Sequence, residues 1–314
     1  MARQNFEFEL YRINIVQEDP YLFREMNKAI ANDKDILKIL KHATSPAYKK
    51  SVEGKKNTFE WDIREYNEYY HERSDIKEIY GVTLAKSTVK TTGDIVTDIG
   101  IEEGISKSEP PIAHTCKLFF YMKRHLMIIE RRSAIINSGW RGALEEILKT
   151  VAHDLSFIGS IEFEPYPNHA EIIKAFHSFD KLTRMRVILR LPNPEYSRFA
   201  AKLFSEMQEG KIREYLQDMK NFQGLNKEEG KIPHASAELA AAGYKKGEVT
   251  FEGVRNKKRE SVKTGKDAAH GQIQGMKDYV RGMNTVLKSK EAKRAMTSIL
   301  DEIDRIAPAP DKKA

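Results

Sequence analysis

The sequence predicts an α+β fold: a mixed sheet with helices packed on it, a basic hairpin and a helical C-terminus. Three observations carry that prediction. Several segments alternate apolar and polar residues with the period of a strand, and others repeat apolar residues every three or four positions. The two kinds follow one another without the regular strand–helix beat of a barrel or a doubly wound sheet. At 314 residues, 40% hydrophobic and 32% charged, the chain can bury a substantial core and is too apolar for a disordered protein.

Residues 5–16 alternate at Phe6, Phe8 and Leu10 and again at Ile13 and Ile15, which reads as a strand. Asp19-Pro20 signals the start of a short helix over Tyr21 to Ile30, and Asp35 to His42 adds another turn or two. Residues 57–66 place Phe59, Trp61 and Ile63 on one side of a second strand. Residues 87–112, rich in Ser, Thr, Gly and acidic side chains and ending in Glu109-Pro110-Pro111, read as a loop or linker between two halves. Thr115 to Met122 and Leu126 to Glu130 are apolar strands joined as a hairpin through Lys123-Arg124-His125.

Trp140 to Phe157 carries Leu144, Ile147, Leu148, Val151 and Leu155 at amphipathic helical spacing. A strand over Ser160 to Tyr166, a helix over Asn168 to Phe179 and a strand over Leu182 to Leu191 follow, and Pro192-Asn193-Pro194 opens a long helix from Glu195 towards Met219. Ala235 to Ala242 is a short helix closed by Gly243. Gly247 to Val254 and Glu260 to Thr264 are two strands joined by the basic turn Arg255 to Arg259. Apolar stripes at Met276, Val280, Met283 and Leu287 and at Met296, Ile299, Ile303 and Ile306 predict two final helices. These signals divide the chain into an N-terminal strand and helix region (1–86), the linker (87–112), an α+β core (113–223), the basic hairpin with C-terminal helices (224–306) and a disordered tail (307–314).

Several chemistries find no support. Neither G-x-x-x-x-G-K-[ST] nor G-x-G-x-x-G occurs, so the usual phosphate-binding loops are missing, and no G-x-S-x-G marks a nucleophile. The single cysteine, Cys116, excludes an internal disulfide and a cysteine-rich zinc site, and its apolar strand argues for an inert buried thiol. No H-x-x-x-H or H-E-x-x-H spacing occurs; His169 and His177 are too far apart to share an ion, and His153-Asp154 reads as a helix terminus. No cofactor is implied. The longest apolar run, Leu118 to Met122, is far short of a membrane span, and the N-terminus carries no signal-peptide core, so the expected location is the cytoplasm.

Charge is the most informative signal. The chain has 53 Lys+Arg and 46 Asp+Glu; residues 231–314 hold 18 and 11 of these, which leaves 35 and 35 in the first 230 residues. All the excess positive charge lies in the last quarter. Within it Arg255, Lys257, Lys258, Arg259, Lys263 and Lys266 fall in twelve residues, opposed only by Glu260. Lys277, Arg281 and Lys288 would extend the track along one face of the next helix. Clustered cations of this kind suit a polyanion, so the expected function is non-catalytic binding of DNA or another nucleic acid, largely without sequence preference.

Two alternatives have residues behind them. Glu162 and Glu164 share one face of a strand and could hold a divalent ion for a nuclease, although no lysine follows at the required offset. The C-terminal apolar stripes could dock a partner or a second copy of the chain, a homo-oligomer. A secondary nucleic-acid platform is the aromatic segment Trp61, Tyr66, Tyr69, Tyr70 and His71 with Arg64 and Arg73 interleaved.

The order of signals resembles an uncharacterised bacterial family, domain of unknown function four-seven-four-seven. The matching segments are Leu10-Tyr11-Arg12-Ile13-Asn14-Ile15-Val16, Lys117-Leu118-Phe119-Phe120-Tyr121 with His125 to Glu130, Arg190-Leu191-Pro192-Asn193-Pro194, and Ala242-Gly243-Tyr244, over roughly residues 8–265. More remotely, the C-terminal order of helix, basic strand pair and final helix resembles the phage-exclusion protein RexA and the KwaB component of the Kiwa defence system. That likeness implies antiviral defence, DNA binding and a membrane-protein partner. It carries no catalytic residues over.

Overall fold

The computed structural model describes residues 5–16, 28–29, 32–190, 206, 209–210, 212, 214–276, 280 and 290–308. The strands are β1 (Phe6–Val16), β2 (Lys28–Ala29), β3 (Lys49–Glu53), β4 (Asn57–His71), β5 (Ser74–Val96), β6 (Ile101–Lys107), β7 (Ala113–Tyr121), β8 (Leu126–Glu130), β9 (Phe157–Ile158), β10 (Ser160–Pro165), β11 (Lys181–Arg190), β12 (Glu214–Lys220), β13 (Val249–Arg255), β14 (Lys258–Thr264) and β15 (His270–Ile273). The helices are α1 (Asp33–Ala43), α2 (Ser133–Ile136), α3 (Trp140–Asp154), α4 (His169–His177), α5 (Ile232–Ala241) and α6 (Lys290–Ile306).

Alternation in β1 explains the larger sheet. Phe6, Phe8 and Leu10 point to one side and Tyr11 and Ile13 to the other, and all five are buried, so this strand must be covered on both faces. It pairs with β8 on one side and with β10 and β15 in succession on the other; the sheet continues through β7, β5 and β4 to β3, with β6 beside the far end of β5. On one face Trp61, Leu84, Leu118, Phe120 and Ile129 meet α1 and α3. On the other, Phe119, Tyr121, Leu126 and Ile128 meet Met296, Ile299, Leu300 and Ile303 of α6. The C-terminal stripe at 296–306 is therefore buried against the chain's own sheet, and docking a second copy through it would mean prising it off. Arg73 pairs with Asp301 and Asp304, and Arg124 reaches Asp304 at 2.9 Å and the Ala307 carbonyl at 2.6 Å, which fixes the end of that helix.

Among the described residues, the smaller sheet, in the order β12-β11-β13-β14, is covered on one face only. Met185, Val187, Leu189, Val249 and Phe251 pack under Ile172 and Phe176 of α4 and Leu239 of α5. The two sheets meet where α5 ends: Arg12 of β1 donates to the Ala242 carbonyl at 2.9 Å and lies over the Tyr244 ring at 4.4 Å. Gly243 has φ +83°, and a Cβ there would sit 3.2 Å from the Arg12 Cβ, so turn and close approach both ask for glycine.

The α+β class holds, but several elements differ from their sequence reading. Both large sheets are antiparallel throughout; the expected mixture of strand directions is confined to the β2–β9 pair. Residues 87–112 are not mainly a loop: β5 runs to Val96 and pairs with β6 as an exposed antiparallel arm. Such an arm has no covered face, so no apolar alternation marks it. The helix expected up to Met219 gives way to β12, an edge strand with Gln217 buried and Met219 half-buried against the helices, and most of 195–213 lies outside the described residues. The helix expected over Tyr21 to Ile30 also lies largely outside them, and Lys28–Ala29 is a strand. The stripe at Met276 to Leu287 falls mostly outside as well.

Candidate nucleic-acid interface

The basic hairpin exists, and its turn is the tightest the backbone allows. Arg255 pairs with Lys258 across a two-residue loop, Asn256-Lys257, with φ 51° and 63°. Two positive φ values define the type I′ turn that matches strand twist. Asparagine suits this turn, whereas lysine stands where glycine is preferred. Its backbone N–H donates to Asp180 Oδ2 at 3.4 Å.

β14 is an edge strand, so its cations face solvent from the rim of the sheet. Lys257, Lys258, Arg259, Lys263 and Lys266 are all exposed, and among the described residues none is paired with a carboxylate. Arg255 lies 3.7 Å from Glu260, the one acid in the run. The strand's pleat divides the set. Arg259 and Lys263 point to the uncovered face, and Lys258 points to the face that carries α4, alongside Val262. Lys257 sits at the tip and Lys266 beyond the strand's end. Lys277, Arg281 and Lys288 lie outside the described residues.

The uncovered face brings in residues that the sequence reading passed over. Arg186 is cross-strand from Thr250, which is cross-strand from Lys263, so the two cations lie about 10 Å apart in one row. Arg186 is exposed and without a carboxylate partner among the described residues. Its neighbour Arg184 is engaged: it grips Asp218 through two contacts of 2.8 Å and reaches Glu252 at 3.3 Å. Those hydrogen bonds hold the Asp218 carboxyl well below its ordinary range. The alternation of Arg184, Arg186 and Arg190 with Met185, Val187 and Leu189 was the available signal.

The paired glutamates of the nuclease alternative are bridged by the protein itself. Arg190 pairs with Glu162, lies 3.8 Å from Glu164 and reaches Glu214 at 3.4 Å, so a guanidinium occupies the space between the two carboxylates. Lys245, 1% exposed, donates to the Gly247 carbonyl at 2.8 Å; burial lowers its pKa and raises that of Glu164. Across the edge of β10, Glu145 accepts the Phe163 N–H at 2.8 Å, and burial pushes its carboxyl up to about 7. No group of three or more His, Cys, Asp or Glu among the described residues is placed to hold a metal ion. Cys116 is buried, which pushes its thiol pKa up and makes it a poor nucleophile. His153 and Asp154 lie 3.6 Å apart on the surface.

The aromatic platform is dispersed by the fold. Trp61 and Tyr69 are core residues, and His71 is buried 3.2 Å from Glu78. Tyr66 lines an open cleft. Among the described residues, no helix is long and apolar enough to cross a membrane. A family model described as a domain of unknown function, DUF4747, matches residues 6–278. No curated protein and no solved structure matches the chain.

Proposed function

This chain belongs to the DUF4747 family, and on that premise we propose that it is a non-catalytic protein that holds duplex DNA by its phosphate backbone. One observation carries the reading: five exposed cations on a single edge hairpin and its flank have no carboxylate partner among the described residues. Mutually repelling charges left uncompensated in the folded chain favour a polyanion at that rim. Arg186 widens the footprint onto the uncovered face. The support is electrostatic, so contacts would position the protein on a duplex without reading its bases.

Fluorescence anisotropy with a mixed-sequence duplex across a salt series tests this. Neutralising about six phosphates gives a slope of log affinity against log salt near −5; a flat response removes the reading. The cytoplasmic, antiviral setting with a membrane-protein partner rests on the segment order shared with RexA and KwaB. Phage plating efficiency on cells expressing the protein tests that part. It should fall for the native chain and recover for the Arg259→Gln/Lys263→Gln variant.

A further inference from the structure

The face of the larger sheet that carries α1 holds an open cleft of about 670 Å3, within the size range of small-ligand sites. Lys34, Lys38 and Lys41 form its helical wall, and spacings of four and three set them along one stripe of α1. All three are exposed, and none is paired with a carboxylate among the described residues. Like charges four apart disfavour one another by only a few tenths of a kcal/mol, and Lys38 also lies 5.7 Å from the centre of the Phe157 ring, so the row tolerates its charge and offers it to an anion. The opposite wall is aromatic: Tyr66 and Tyr80 stack with ring centroids 6.3 Å apart and planes at 27°. Glu68 is the one carboxylate lining the cleft, and Lys77 neutralises it at 2.7 Å.

The aromatic wall depends on an irregularity in β4. Trp61 and Ile63 face α1, and strict alternation would put Glu65 there next. Instead the β4–β5 register shifts between Arg64 and Asn67, and Glu65 takes φ 59°. The pairing changes parity, which turns Tyr66 and Glu68 towards α1 and leaves Tyr69 on the opposite face. A glutamate at positive φ is strained, and its carboxylate is anchored by Lys117 at 2.7 Å and by Thr83. Bulges of this kind re-aim side chains beside binding sites.

We propose that this cleft binds a free nucleotide, with the base against the Tyr66–Tyr80 pair and the phosphates on Lys34, Lys38 and Lys41. A flat ring system bearing several negative charges matches both walls, and neither a simple anion nor an uncharged aromatic ring does. The site lies on the other sheet from the basic hairpin and does not rest on the DNA-binding reading.

Isothermal titration of the full chain with ADP, GDP, CDP and UDP provides the test. At least one should bind, with the matching nucleoside and pyrophosphate each weaker by about tenfold or more. Lys38→Gln/Lys41→Gln should weaken the nucleotide by about tenfold per charged hydrogen bond lost, while Tyr66→Leu should bring its affinity down to that of pyrophosphate. The lysines are exposed, so their variant should retain its melting temperature and its affinity for duplex. Four outcomes each overturn the proposal: no diphosphate bound below about 1 mM, pyrophosphate bound as tightly as the nucleotide, binding indifferent to the lysine variant, or lysine-dependent capture of single-stranded DNA without mononucleotide binding.

Discussion

The two sheets are built from the same kinds of strand and spend them differently. The larger one is sandwiched between α1 and α3 on one side and α6 on the other, so that even neighbouring residues such as Phe119 and Phe120 are both buried. The smaller one hides Met185, Val187 and Phe251 under α4 and α5 and leaves Arg186, Arg259 and Lys263 outside. A strand covered twice spares side chains for a ligand only where its cover ends, as at the α1 cleft lined by Tyr66 and Tyr80, whereas one covered once keeps every second residue available. Charge on the uncovered face and its rim can therefore serve binding along a whole strand without cost to the core, whereas the larger sheet offers only a cleft at the edge of α1.

The sharpest break of this contrast is Phe120→Ala, which should cost about 3–5 kcal/mol in a denaturant titration because a buried ring leaves a cavity between sheet and helices. Next, Arg259→Gln with Lys263→Gln should leave stability unchanged and reduce the salt slope of DNA binding by about 2. An unchanged slope would mean that the outer face is idle.

Glu145 of α3 tests the β10 edge of the larger sheet, where it accepts the Phe163 N–H. Its carboxyl protonates more readily in the folded chain, at about 7, than at the ordinary value of 4.5. The associated stability is present at low pH and is lost as pH rises through about 7. Glu145→Gln should remove that loss, so the variant should gain of order 1 kcal/mol on the native protein at pH 8 relative to pH 4. Equal pH profiles would contradict the burial argument.

Lys257→Gly sets stability against binding within the smaller sheet. Relief of the left-handed lysine should stabilise the hairpin by about 1 kcal/mol, and the salt slope should fall by about 1. The smallest effect belongs to Arg186→Ala, expected within about 0.5 kcal/mol of the native protein. A loss comparable to that of Phe120→Ala would mean that this face is covered after all.

Where a segment buries a regular apolar face, or two, its sequence said so. The alternation of β1, the apolar run of β7 and β8, the stripe of α3 and the turn between β13 and β14 were all legible because burial selects the pattern that marks them. The β5–β6 arm was not, because Val96, Ile99 and Ile101 stand in solvent among Thr, Gly and Glu and follow no period that packing would impose. β12 was missed for a related reason: an edge strand that turns only Gln217 and Met219 inward is easily taken for the tail of a helix. The hairpin cations were visible because six of them fall within twelve residues. Arg186 was visible only as one member of an alternating strand. The cleft was not visible as a unit, since Lys34 to Lys41 and Tyr66 to Tyr80 meet only after the register of β4 has shifted.

The position of α6 has a consequence for how the molecule is made. Phe6 and Phe8 are made more than 280 residues before the helix that shields them, Lys290–Ile306. Until α6 has been synthesised, the nascent sheet lacks the helix that covers this oily underside. Arrival of α6, more than any local nucleus, should set the moment at which this face of the newborn polypeptide stops being a chaperone client.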